Sequence, residues 1–406
     1  MMQRFITTAA LKANKPPHYG VATWRVDRWY KNCRFVIRSS TGSVFLCRTE
    51  YDRFRESPLA REQYTRHLDL LRRRSIRWDA TDTGDACRWL SKPFEPLIAE
   101  LAPSQLSRPK KKGRPTLSDY MFAPRFCCVL RGTEEKMQAL RVDGNKAFEG
   151  SFEYGSFEHH HMGTSVKLGE AFLDSAEPHV KSYHPSDVEL WYDRAGAEDV
   201  LIKPPGKVFV HDHQGRLVTC FFKPADQCPM ATRAEIQLSV QVVVNMPRPP
   251  TGPRVSRLRG IVRNGRSVFG LLFDWIDVKG RLVPGKAPEK SAALRERWAA
   301  ELTANVKALH DKALTWSDPS PSSVLIDRHD HAWMVNFPGM TLLGPGGAGP
   351  SGVIIEDLMY TEQMARSLRA GELYCSGETV GELEVERPRR DGKWKVPEDM
   401  WEEDVF

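Results

Sequence analysis

The stretch "MPRPPTGPRVSR", Met246 to Arg257, places four prolines in twelve residues. Each proline fixes φ and removes a backbone donor, so the segment must run extended and can be neither a helix interior nor a central strand. It divides the chain into two parts that must each build their own regular elements. Two further breaks punctuate the sequence: the basic "LSRPKKKGRPTLS", Leu106 to Ser118, and the polar "EGSFEYGSFEHHHMGTS", Glu149 to Ser165.

Ahead of the basic break, "LAREQYTRHLDLLRRRSIRW" reads as an amphipathic helix, with Leu59, Tyr64, Leu68 and Leu71 near a 3.6-residue period. "DACRWLSKPFEPLIAEL" is helical at its ends and broken by Pro93 and Pro96. "FAPRFCCVLRG" and "MQALRVDG" read as short strands, so residues 1–195 form an N-terminal α+β extension. From about residue 196, "VLIKPPGKVFVHDHQGRLVTCFFKP" gives three short β-rich runs with turns at Pro204-Pro205-Gly206 and Gln214-Gly215, an antiparallel meander. "TRAEIQLSVQVVV" comes next as a helix. After the proline stretch, "RLRGIVRNGRSVFGLLFDWID" reads as two strands joined at Asn264-Gly265. "SAALRERWAAELTANVKALH" is the clearest helix, with Leu294, Trp298, Leu302, Val306 and Leu309 on one face.

Composition narrows the class. Hydrophobic residues at 41% and charged residues at 27% describe a soluble globular chain of 406 residues. No secretory signal and no long apolar span is visible, which points to an intracellular, cytoplasmic protein without membrane contact. The net charge of +7 is too mild to establish a nucleic-acid partner. Eight cysteines contain no C-x-x-C pair, so buried free thiols are expected rather than a zinc site or a disulfide framework.

The order of elements is a small antiparallel sheet carrying Lys223, a helix carrying Glu235, two strands, a long helix, then "LHDKALTWSDPSPSSVLID … HAWMVNFPG". On these residues, the segment from about 200 to 345 resembles the fungal branch of protein-kinase-like domains, whose catalytic segment runs "LH-x-x-G-h-x-W-G-D-x-K-P-x-N-V-L-I-D … D-A-W-h-I-D-F-G-G". The upstream "WLSKPFEPLIAELAP" and "RPTLSDYMFAPRFCCVLR" resemble the extension that precedes such domains. The resemblance implies an α+β, two-lobed protein-kinase-like fold. Its small lobe would span 196–275 and its large lobe 276–370, truncated because only seventy residues come after Asn336. An acidic tail would cover 371–406.

Carried over residue by residue, Lys223 stands at the phosphate-binding lysine, Glu235 at its helix partner and Asp318 at the catalytic base. Leu271 to Trp275 would form the hinge, with Phe273 and Trp275 against a ligand. His310 matches the "LH" histidine. Five matches fail: Ser317 replaces a glycine, Ser320 the lysine, Ser323 the metal-holding asparagine, Asn336 the metal-gripping aspartate, and Pro338 a glycine. The segment "KPPGKVFV" offers one glycine where the family prefers several. Magnesium wants anionic oxygen, so these exchanges leave a weak site. Losing its several kcal/mol of stabilisation should slow phosphoryl transfer roughly a thousandfold or more.

The expectation is therefore a pseudokinase-type protein with no metal and no cofactor. Its apolar cleft would bind or transform a small organic molecule, by cyclisation or isomerisation for instance, as in fungal specialised metabolism. Asp318, Lys223 and Glu235 would be its catalytic points, and Phe273, Trp275, His310, Ser323 and Asn336 would touch the ligand. Asp318 can equally be a loop-capping carboxylate, and His310 a structural group bonding a backbone carbonyl. Two alternatives stand beside this: a non-catalytic scaffold that binds protein partners, and residual kinase activity. The basic run 108–115 reads as a solvated linker or a nuclear-import element, His159 to His161 as a surface loop, and "LLGPGGAGPSG" as a mobile activation-type segment.

Overall fold

The computed structural model describes residues 16–27, 31–55, 57–73, 81–102, 113–132, 137–142, 164–192, 197, 199–287, 291–316, 319–337 and 350–376. The fold is mixed α+β, with three sheets among the described residues. The first begins with β1 (Tyr19–Val26), β2 (Cys33–Ser39) and β3 (Val44–Thr49). Helices α1 (Pro58–Arg73), α2 (Thr81–Ser91), α3 (Glu95–Leu101) and α4 (Leu117–Met121) then cross over to β4 (Arg125–Gly132) and β5 (Met137–Val142). The strands lie in the order β1-β2-β3-β4-β5, and only the β3–β4 pair is parallel. A parallel pair needs a long crossover, which the helices supply. Pro93 and Pro96 fall in the first turns of short helical segments, where a missing N–H costs nothing. Phe35, Phe45, Phe54, Tyr64, Leu68 and Phe94 fill the core between sheet and helices.

The second sheet takes β6 (Val166–Lys167), β7 (Lys181–Tyr183) and β8 (Glu189–Leu190), with α5 (Glu170–Ala176) after β6. It continues through β9 (Lys207–His211) and β10 (Leu217–Pro224), α6 (Pro229–Asn245), β11 (Leu258–Asn264) and β12 (Ser267–Asp274). The order is β7-β11-β12-β10-β9-β8, with β6 beside β12. Asn264-Gly265 makes the β11–β12 turn, with Gly265 at φ 55°. Three strands of this sheet thus come from before residue 196, and a division at 195/196 cuts through it. The apolar run Val200 to Lys203 is a turn rather than the first strand of the meander. The N–H groups of Ile202 and Lys203 both donate to the Asp199 carbonyl, which closes the chain locally instead of leaving it for a ladder.

The third sheet holds β13 (Val278–Pro284), β14 (Val324–Asp327), β15 (Ala332–Met334) and β16 (Leu373–Cys375) in the order β15-β14-β13-β16. It packs with α7 (Ala292–His310) and α8 (Pro350–Ala370) around Trp298, Leu302, Val306, Trp316, Ile326 and Leu368. Residues 371–376 belong to this unit through β16, so the tail expected from 371 begins no earlier than 377, and 377–406 lies outside the described residues. The proline stretch ties the second and third sheets together: Ser256 donates to the Met334 carbonyl at 2.8 Å and Met334 to the Arg254 carbonyl at 2.9 Å.

Arg38 joins the first sheet to the second. Fully buried, it donates through Nε to the Leu201 carbonyl at 2.7 Å and through Nη2 to the Tyr120 carbonyl at 2.8 Å, with its guanidinium stacked over the Tyr120 ring. Burial pushes this guanidinium down to about 10. Among the described residues no helix is long and apolar enough to cross a membrane. Of the cysteines, Cys33, Cys47, Cys128, Cys220 and Cys375 are buried free thiols, whereas Cys228 is exposed.

Candidate functional site

Strand β10 alternates strictly at its end. Cys220 and Phe222 point into the core shared with Val208 and Val210, which leaves Phe221 and Lys223 on the opposite face. That face carries α6, a helix begun by Pro229 and packed through Ile236 and Val240 on Leu271 and Phe273. Glu235 is on the same side of α6 as Ile236 and Ser239 and is almost wholly buried. The Lys223 ammonium donates to its Oε1 at 2.6 Å. Burial pushes the Glu235 carboxyl above the usual range by more than Lys223 draws it down.

The same ammonium donates to Asn336 Oδ1 at 3.0 Å, reaching from the second sheet to the segment that leaves the third. Asn336 has φ 62°. Asparagine accepts this left-handed conformation better than most side chains, so residue type and backbone agree here. Three sequence-predicted residues, Lys223, Glu235 and Asn336, therefore meet at one point although 113 positions separate the first from the last.

The loop between α7 and β14 is held from behind. Asp357 on α8, 1% exposed, accepts the Trp316 backbone N–H at 2.7 Å, and His310 Nε2 lies 3.2 Å from the same carboxylate oxygen. His310 thus faces a buried carboxylate rather than the backbone carbonyl expected as its structural partner. The Trp316 indole N–H donates to the Val335 carbonyl at 3.0 Å, and the Val335 N–H to the Ser323 carbonyl at 2.9 Å. Ser323 is buried, its hydroxyl 3.1 Å from that of Ser320. Asp318 and Pro338 lie outside the described residues.

Phe273 is buried. Its ring packs in the core beneath α6 with Ile236 and Leu271. Trp275 is half-buried, and its ring stands 4.6 Å from the Lys207 ammonium. Sequence reasoning missed Asp357, which anchors the loop, and Asp327. The latter receives N–H groups from His329 and His331 at 2.9 Å and the Trp333 indole at 2.8 Å. Burial works to raise the Asp327 carboxyl, but these donors together hold it below the usual range.

As a metal site the cluster fits poorly. The Asn336 oxygen already accepts from an ammonium, and Ser323, at the other expected ligand position, offers only a hydroxyl. Neither carries the negative charge that magnesium requires. Among the described residues no group of three His, Cys, Asp or Glu side chains could hold a metal ion. Comparison with known protein families and with curated proteins finds no match for this chain.

Proposed function

We propose that residues 164–376 form a kinase-like two-lobed domain whose cleft binds, and through Asp318 transforms, a small organic molecule instead of a magnesium–nucleotide complex. The observation that carries this reading is the Lys223 ammonium shared between Glu235 and Asn336. In a protein kinase the lysine of the third strand pairs with a glutamate of the following helix, and a separate aspartate grips the metal. Here β10 is the third strand in the run β8, β9, β10, α6 supplies the glutamate, and an amide occupies the third corner.

The charge balance sets the ligand class. Lys223 and Glu235 cancel, and Asn336 and Ser323 add none, so these four groups have nothing to offset a triphosphate without metal. A neutral or singly charged organic molecule suits it better. Thermal denaturation in the presence of ATP tests the reading, because stabilisation grows with ligand concentration over dissociation constant. No magnesium-dependent rise in Tm with ATP is expected. A clear one would overturn the proposal.

A further inference from the structure

Beside β9 lies a cavity of about 300 Å³ lined by Trp191, Tyr192, Lys203, the Pro204-Pro205-Gly206 turn and Lys207, among others. Its two lysines are in different states. Lys203 is paired with Asp199 at 2.7 Å, and that carboxylate also meets His18 at 2.9 Å. The Lys207 ammonium instead stands 4.6 Å from the ring centroids of both Trp191 and Trp275, with no carboxylate against it among the described residues. The Trp191 backbone N–H donates to the Lys207 carbonyl at 3.2 Å, which fixes the chain that carries the first indole beside the lysine.

An ammonium carries three donors and is strongly hydrated in water. Two indole faces attract it electrostatically but accept none of those hydrogen bonds at full strength, so a cation with donors that the rings do not satisfy remains. The aromatic surface around it is also underused. Trp191 is 41% exposed, and Phe221, the cross-strand partner of Lys207, is 44% exposed. The Gly206 turn lies against Phe221: a Cβ there would meet the ring at 3.7 Å, an ordinary van der Waals contact.

We infer that this cavity is a binding site for a planar organic anion, an aromatic or conjugated monocarboxylate. Its carboxylate takes the Lys207 donors, and its ring lies against the exposed indole of Trp191. Both halves are required. Charge alone would favour phosphate, which offers nothing to the rings, and flatness alone would leave the ammonium unmatched. The site adjoins the Lys223 cleft, since Phe221 lies between the two lysines on one sheet face, and it shares Trp275 and the Gly206 turn with the ligand contacts expected of that cleft, but its argument needs only the contacts of Lys207 and not the kinase-like reading.

Calorimetric titration of the full chain with naphthoate, against naphthylmethanol as an uncharged analogue of the same ring, tests the inference. Naphthoate should bind about tenfold or more tightly than the alcohol. Lys207→Met should abolish that preference while leaving the weak binding of the alcohol. Trp191→Ala, at a surface position where folding is safe, should weaken both. Equal binding of the two probes, undetectable naphthoate binding, or undiminished naphthoate binding by Lys207→Met would overturn it. Lys223→Ala separates the two proposals. Loss of naphthoate there with retention in Lys207→Met would refute this site and leave the cleft reading standing, whereas loss in Lys207→Met alone supports this site.

Discussion

Asp357 Oδ2 accepts the Trp316 backbone N–H at 2.7 Å across forty-one residues of chain, from the middle of α8 to the loop that leads into β14. Because the carboxylate is buried, water cannot replace it. Asp357→Ala should cost about 3 kcal/mol, the loss of a charge-assisted bond plus an orphaned buried N–H. Asp357→Asn keeps an acceptor and should cost roughly 1 kcal/mol. Urea denaturation midpoints of the two variants check the order, and equal midpoints would refute the anchoring role.

Lys223 and Glu235 predict a pH signature. The Glu235 carboxyl is raised in the fold, so the native state holds a proton longer than the unfolded chain. Stability from this group is present at low pH and declines as pH rises from the ordinary carboxylate value to the raised one. Lys223→Met removes the partner that draws the carboxyl down, which raises it further and extends that decline to higher pH. The gap in Tm between wild type and Lys223→Met should therefore be small near pH 4 and widen toward pH 8. A gap independent of pH would show that the pair is electrostatically silent.

Asp327 behaves in the opposite sense. Burial opposes ionisation, but the N–H groups of His331 and His329 and the indole of Trp333 hold its carboxyl low. The stability it contributes is present above the unfolded carboxylate value and disappears as pH falls through the lowered one. Asp327→Asn should lower Tm at pH 7, and the difference should shrink as pH falls below the ordinary carboxylate value.

Arg38 tests whether the first sheet unfolds with the second. It is the buried link to the Leu201 and Tyr120 carbonyls. Arg38→Met removes both donors and should cost about 2–4 kcal/mol, with Arg38→Lys a poor rescue because an ammonium lacks the planar fork. If the link couples the units, calorimetry of Arg38→Met should resolve two transitions where wild type shows one. A single, merely lowered transition would refute coupling through this residue.

These relationships are unequally visible in the sequence. Lys223 and Glu235 can be read because each sits in an element with a clear local pattern, a β-rich run and a helix flanked by turn signals. The short strands β6, β7 and β8, of two or three residues, carry no alternation to detect, so the sheet's true start before residue 196 is hidden. Val200 to Lys203 misleads because burial of Leu201 and Ile202 comes from packing of a turn, and an apolar run does not distinguish turn from strand. Asp357 is invisible for another reason. Helix α8 exposes Ile355, Leu358, Met359 and Tyr360 while burying Asp357 and Thr361, the reverse of an amphipathic pattern.

The proposed cleft is tested most sharply by giving it metal ligands. Asn336→Asp puts a carboxylate where the amide oxygen now accepts from Lys223 at 3.0 Å, and Ser323→Asn returns a side-chain carbonyl to the loop before β14. A carboxylate suits the left-handed backbone at 336 nearly as well as an amide does, so the fold should tolerate the change. Two hard oxygen ligands, one anionic, are what a magnesium–phosphate complex needs. The double variant should gain a magnesium-dependent rise in Tm with ATP that wild type lacks, about 2–4 °C at saturating nucleotide if binding adds roughly 1 kcal/mol. If both proteins respond alike, with or without magnesium, the amide and hydroxyl are not what separates this cleft from a nucleotide site.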